Sequence, residues 1–167
     1  MYDRFEGNLW QQITGEGIVG PAAERNETLT QIPISTTTWG EWSSAHPDTL
    51  ALAIPTNFIR DYDAYPYGTY EQDDRLLFGV EGLDESLQIK TVVYGIEVGD
   101  SSKAYTVASI KRDKTINDQL AGKNILIEYF DSGEINFTDA DTGEEVQALR
   151  LFWFSWAAFH PDTELYQ

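Results

Sequence analysis

The sequence predicts a mainly β (α+β) protein: two related antiparallel β units, each closed by a short tryptophan-containing helix, with the first unit incomplete. Three observations predict it. The element Trp-x-x-Trp-x-x-x-His-Pro-Asp-Thr occurs twice, at 39–49 and 153–163, and six identities at one constant offset mark a duplication. Strand-like runs bounded by Gly- and Asp-containing turns fill much of the remainder. The 167 residues are 41% hydrophobic and 13% aromatic, enough apolar material for a packed interior.

In chain order, 9–13 and 29–33 read as short strands around a turn at 15–17 and the Gly20-Pro21 pair. Thr36, Thr37 or Thr38 can cap a helix that places Trp39 and Trp42 on one face at i, i+3. Pro47 disfavours helical geometry at His46 and ends that helix, and Asp48-Thr49 suits a turn. Residues 54–76 hold four tyrosines with Pro66, Gly68 and several aspartates, an ordered loop too aromatic for a free linker. Strands follow at 91–98 and 103–105 around a 99–101 turn. A meander of 124–130, 134–137 and 144–149, turning at 131–133 and 139–143, then feeds the second helix. There Trp153, Trp156 and either Ala157 or His160 share a face. The organisation reads as 1–53, the back part of a first repeat; 54–90, an aromatic and acidic connection; and 91–167, a complete second repeat. All three are expected in one compact domain.

Several joined motifs carry a family resemblance: Met1-Tyr-Asp-Arg-x-x-Gly-x-Leu-Trp10-x-Gln-x-x-Gly15-x-x-Ile-x-Gly20, the 38–49 element, Lys103-Ala-Tyr105 and Asn117-Asp118. Together they resemble the prokaryotic family called domain of unknown function 3179, over nearly the whole chain. The resemblance implies that relatives run a Lys/Arg-Ala-Tyr-Pro strand, an Asn-Asp segment and a Tyr-Cys-Pro-x-Cys stretch ahead of their first Tyr-Asp-Arg. The chain then corresponds to the C-terminal part of the family domain and lacks the cysteine-containing segment. Where relatives have Ala-Tyr-Pro, the retained repeat reads Ala104-Tyr105-Thr106. Members are often exported or lipid-anchored, so an extracytoplasmic location is expected. A missing half-repeat exposes strand edges, implying either a homo-oligomer or an N-terminal segment outside this chain.

Charge narrows the partners. Twenty-eight Asp and Glu oppose 11 Lys and Arg, for a net charge of -17, which repels phosphate backbones and argues against nucleic acid and anionic membranes. Few lysines and many threonines also fit a halophilic-like surface. Cysteine is absent, so disulfides, thiolate nucleophiles and cysteine metal sites are excluded. No run approaches a membrane span, and the first residues do not resemble a signal peptide.

Candidate chemistry is sparse. His46 with Asp48 and His160 with Asp162 can act as base and orienter or as metal ligands. Alternatively each His caps helix-end carbonyls while the Asp holds a turn, and repetition favours this structural reading. Asp139 and Asp141, before Gly143, resemble the start of a calcium loop without its third early ligand and closing Glu, and in a hairpin this spacing more often makes just a turn. Tyr62, Tyr65, Tyr67 and Tyr70, with Asp61, Asp63, Asp73 and Asp74, either bridge the two halves, the favoured reading, or offer a glycan- or cation-binding surface. Asn26 and Asn136 lie in N-glycosylation sequons. No catalytic residue and no organic cofactor site is predicted. The expected function is a non-catalytic structural or interaction protein that self-associates through β edges. The alternatives are a metal- or ligand-dependent enzyme using His46 and His160, and a glycan-binding module.

Overall fold

The structure, a computed structural model, describes residues 1–54 and 61–167; the first part of the expected aromatic loop, at 55–60, lies outside them. It falls into two units, Met1–Ile34 and Ser35–Gln167. In the first, β1 (Leu9–Trp10) pairs antiparallel with β2 (Gly17–Val19), and α1 (Pro21–Glu24) follows. Polar capture organises this small unit. Asp3 accepts the backbone N–H groups of Glu6 and Gly7 on one oxygen, and the Asn8 amide (2.7 Å) and Trp10 indole N–H (2.9 Å) on the other. Those donors, the indole first, hold its carboxyl well below the usual range. Buried Asn8 accepts the Ala22 N–H at 2.9 Å, anchoring α1, whose Pro21 suits the first helical turn. The strand expected at 29–33 does not form. Pairing stops at its first residue, where the Leu29 N–H donates to the Gly15 carbonyl at 2.9 Å beside the Glu16–Thr28 bridge, and its apolar side chains Leu29 and Ile32 stay exposed. The strand there is instead β2, within the region read as a turn and its flank.

The second unit starts with α2 (Trp39–Ala45). The 91–98 run becomes β3 (Val92–Val98), apolar at successive positions because both of its faces are covered. It pairs antiparallel with β4 (Ser101–Thr106) and with β8 (Ala148–Phe152), and β4 takes β9 (Glu164–Tyr166) in parallel, giving the order β8-β3-β4-β9. A second, antiparallel sheet has the order β5 (Thr115–Leu120), β6 (Lys123–Tyr129), β7 (Ile135–Asp139). Tyr94, Ile96 and Tyr105 face α3 (Val107–Asp113) and the three-stranded sheet in one core with Ile110, Ile116, Ile125, Ile127 and Phe137. Val93 and Ala104 face the opposite way and meet Trp153, Trp156 and Ala157 of α4 (Trp153–Phe159). The four-stranded sheet is therefore the middle of three layers, and the protein is mainly β, as the sequence predicts.

Three elements of this unit escape sequence reading. Helix α3 follows a strand within a β-like run, yet Thr106 caps it by accepting the Ser109 N–H at 3.0 Å, and Lys111 and Arg112 sit in its last turn. Strand β5 is mostly polar, and β9 is only three residues long. The strand expected at 144–149 forms further on, at Ala148–Phe152, because its pairing with β3 sets the register.

Candidate functional site

The two copies of the repeated element fold alike. In α2, Thr38 accepts the Glu41 N–H at 3.2 Å while the Glu41 carboxylate accepts the Thr38 N–H at 3.1 Å, a reciprocal cap. His46, forced out of helical geometry ahead of Pro47, stands at φ -127, ψ 71, and His160 ahead of Pro161 at φ -132, ψ 70. Each imidazole lies on the indole one turn earlier, with ring centroids 4.0 Å apart for Trp42–His46 and 3.8 Å for Trp156–His160. The indole N–H then donates to the threonine that ends the element, Trp42 to Thr49 at 3.0 Å and Trp156 to Thr163 at 2.9 Å. The Thr49 and Thr163 N–H groups close each turn on the His46 and His160 carbonyls, both at 3.1 Å. The element is thus a helix stop locked by a tryptophan, a histidine and a threonine. Histidine stacks rather than capping carbonyls, and threonine rather than aspartate makes the closing bonds.

Each histidine also meets a glutamate that local spacing does not reveal. His160 Nε2 lies 3.4 Å from Glu97 on β3, and His46 Nε2 lies 3.8 Å from Glu134, which immediately precedes β7. The His160–Glu97 approach lacks hydrogen-bond geometry, leaving Nε2 buried without a partner. Burial pushes this imidazole below its ordinary value, and the Glu97 charge only partly offsets that.

The copies differ in what covers them. Trp153 and Trp156 are 2% and 0% exposed, and the Trp153 indole donates to the Asp84 carboxylate at 3.1 Å. Trp156 lies on the backbone of Gly95, where any Cβ would be driven into its ring. In contrast, α2 buries no residue and Trp39 is 54% exposed. It meets the rest of its unit through Thr37, whose hydroxyl donates to the Ser132 carbonyl at 2.7 Å, and through the His46–Glu134 approach.

Lys103, Tyr105 and Asp118, which share in the family resemblance, converge although they lie on β4 and β5. Lys103 Nζ is 2.8 Å from Asp118, and the Tyr105 hydroxyl donates to the same carboxylate at 3.0 Å. Glu164 of β9 lies 3.3 Å from Lys103, so the cluster ties the terminal strand to both sheets. Burial followed by the Asp118 charge drives the Tyr105 phenol far up; burial works against the Asp118 carboxylate too, but the bonds from Lys103, the Gln119 N–H and the Tyr105 hydroxyl together hold it below its usual value. A family model described as Protein of unknown function (DUF3179) matches residues 1–163. The chain belongs to this family. Among curated proteins and among solved structures, nothing matches it.

The remaining candidates fall elsewhere. Asp139 is nearly buried; one oxygen accepts the N–H groups of Asp141 and Thr142, and the other takes Lys123 Nζ at 2.7 Å. Asp141 accepts from the Asn124 amide at 3.0 Å. The pair therefore shapes the hairpin turn, and a lysine ammonium supplies the positive charge. Among the described residues no three or more His, Asp or Glu side chains group around a metal position. In the tyrosine loop, Tyr62, Tyr65 and Tyr67 are exposed. Tyr70 is seated against Phe152, with Lys90 Nζ 3.6 Å over its ring. Asn26, at positive φ just after α1, and Asn136, on β7, are both exposed. No helix among the described residues is long and apolar enough to cross a membrane.

Proposed function

We propose that this protein is a non-catalytic interaction protein that associates with further copies of itself through exposed β edges. The observation that carries the reading is β5, the outer strand of the three-stranded sheet. Its free edge pairs with no strand among the described residues and carries no proline, lysine or bulge. Such an edge is a template for strand addition, which natural sheets usually blunt. Asp118, the strand's one charge, is neutralised by Lys103 and so presents little repulsion to an incoming strand. The opposite outer strand is less open, because the Val146 N–H bonds to the Phe137 carbonyl at 2.8 Å along it. Two copies meeting edge to edge at β5 form a closed, two-fold pair, the commonest oligomer geometry.

Light scattering on the full chain tests this. The wild type is expected at twice its 18.9 kDa chain mass. The double variant Asn117→Lys/Gln119→Lys, which charges the edge without touching the core, is expected at the single mass with an unchanged urea midpoint. A wild type that stays monomeric at every concentration sinks the reading.

A further inference from the structure

In a chain with 28 acidic residues and 11 basic ones, a cation without a carboxylate partner calls for an explanation. Among the described residues, the close ion pairs engage Arg25, Arg75, Lys90, Lys103, Arg112 and Lys123. Lys111 and Arg150 enter none of them, and both line one cleft of about 240 Å³. Arg150 of β8 stands directly opposite Tyr94 of β3, so the two side chains leave the same face of the sheet. Burial pushes the Tyr94 phenol up, against the Arg150 charge and the Thr36 hydroxyl, so it remains a neutral O–H donor. Lys111, in the last turn of α3, holds its Nζ 5.6 Å from the centre of the Tyr129 ring. Val107, Tyr129 and Ile135 give the cleft an apolar lining. The Thr37 bond to the Ser132 carbonyl ties its α2 side to the 131–133 turn. Glu41 also lines it, with its carboxylate engaged by the Thr38 N–H and hydroxyl.

We infer that this cleft is a binding site for a small organic monocarboxylate. The guest's carboxylate takes the Arg150 guanidinium, with the Lys111 ammonium and the Tyr94 hydroxyl as further donors. Its apolar body lies against Val107, Tyr129 and Ile135. Charge selects this class of ligand. Two lining cations against the one Glu41 carboxylate leave a single positive charge, which matches a monoanion. A phosphate dianion exceeds it and also meets the repulsion of a chain with net charge -17. Size narrows the body to a short chain or a single ring, because the cleft is smaller than the roughly 300 Å³ at which sites for drug-sized ligands begin. No residue of β5 lines it, so ligand binding and self-association succeed or fail separately.

Benzoate and butyrate are the probes, titrated into the full chain while the backbone amide signals of Thr36, Lys111, Gly133 and Arg150 are followed by NMR. At least one of the two is expected to move these signals with a Kd of about 1 mM or tighter. Benzamide, which keeps the ring and loses the charge, is expected to bind more than about tenfold more weakly than benzoate. Arg150→Gln and Lys111→Gln alter exposed side chains. Each should weaken binding more than about tenfold at an unchanged urea midpoint. Arg4→Gln removes the same charge from an exposed position outside the cleft and should leave the Kd within about twofold of the wild type. Signals that stay still for both carboxylates up to about 10 mM overturn the inference. So does an equal loss in Arg4→Gln, which means attraction by bulk charge alone. Inorganic phosphate binding more tightly than either carboxylate at the same signals also overturns it, since the site then selects a different anion.

Discussion

At position 95 a hydrogen atom stands where any other side chain would meet an indole, and a hydrophobic strand thereby becomes a seat for Trp156. A glycine inside a strand pattern signals a close approach, so that much is legible in the sequence. Which ring approaches is not, because Gly95 and Trp156 are brought together by tertiary packing alone. The same holds for His160 and Glu97: the His-Pro-Asp motif draws attention to Asp162, yet the carboxylate facing the imidazole comes from β3. That environment has a consequence in solution. Burial lowers the His160 pKa, so as pH falls below the ordinary histidine value of about 6.5 the unfolded chain takes up a proton that the folded chain resists. Stability is therefore full above that value, declines below it, and levels off once the folded imidazole also titrates. Urea unfolding between about pH 7.5 and pH 5 is expected to show this decline in the wild type. A His160→Phe variant, which keeps a flat ring on Trp156 but cannot titrate, should lose it. Equal slopes for the two proteins would remove His160 as the cause.

At the scale of elements, one sequence motif makes one local structure in two settings, which separates what the motif encodes from what packing adds. Stack, helix stop and closing threonine recur in α2 and α4; the side-chain cap of α2 and the burial of α4 do not. Truncating the second indole of each copy should therefore have unequal effects. Trp156→Ala is expected to cost about 3–5 kcal/mol, as for a fully buried tryptophan. Trp42→Ala, at a half-buried position on a helix with no fully buried residue, is expected to cost under about 1 kcal/mol of monomer stability. Urea midpoints of the two variants in the edge-charged background measure this, and equal losses would mean that α2 is as firmly packed as α4. Element legibility follows the same division. Both Trp helices and strands β3, β6 and β7 were readable because caps, prolines, glycine turns and apolar runs are local signals. Helix α3 was hidden in a β-like run, β5 is polar with its apolar residues on one face, and β8 takes its position from β3 rather than from its own turn. In the candidate site, the tryptophans and histidines were readable from the repeat, whereas Gly95, Glu97 and Glu134 required the fold. The Lys103–Tyr105–Asp118 cluster was visible only as separate pieces of a family resemblance, since 12 residues separate Tyr105 from the end of its partner motif at Asp118 and only the sheets close the gap.

For the whole molecule, the governing fact is 28 acidic residues against 11 basic ones. Several of the cations are already spent on close carboxylates: Arg25 on Glu6 and Glu27, Lys103 on Asp118 and Glu164, Lys123 on Asp139. The net charge of -17 is therefore left as mutual repulsion within each chain and between copies. Exposed ion pairs such as Arg25–Glu6 contribute little, so weakening them costs little. Added salt shortens the screening length from about 10 Å at 0.1 M to about 3 Å at 1 M. It should relieve more repulsion than it weakens attraction. The melting temperature is expected to rise between about 0.1 M and 1 M NaCl, and equally in KCl, because screening depends on ionic strength rather than on the cation. Association at the β5 edge should tighten over the same range, since two like-charged chains must approach for strands to pair. Thermal melts and light scattering across one salt series measure both effects. A melting temperature that falls with salt would show that paired charges, rather than excess ones, dominate the electrostatics of this fold. A rise in stability with no tightening of association would confine the repulsion to within each chain and leave the edge contact indifferent to charge.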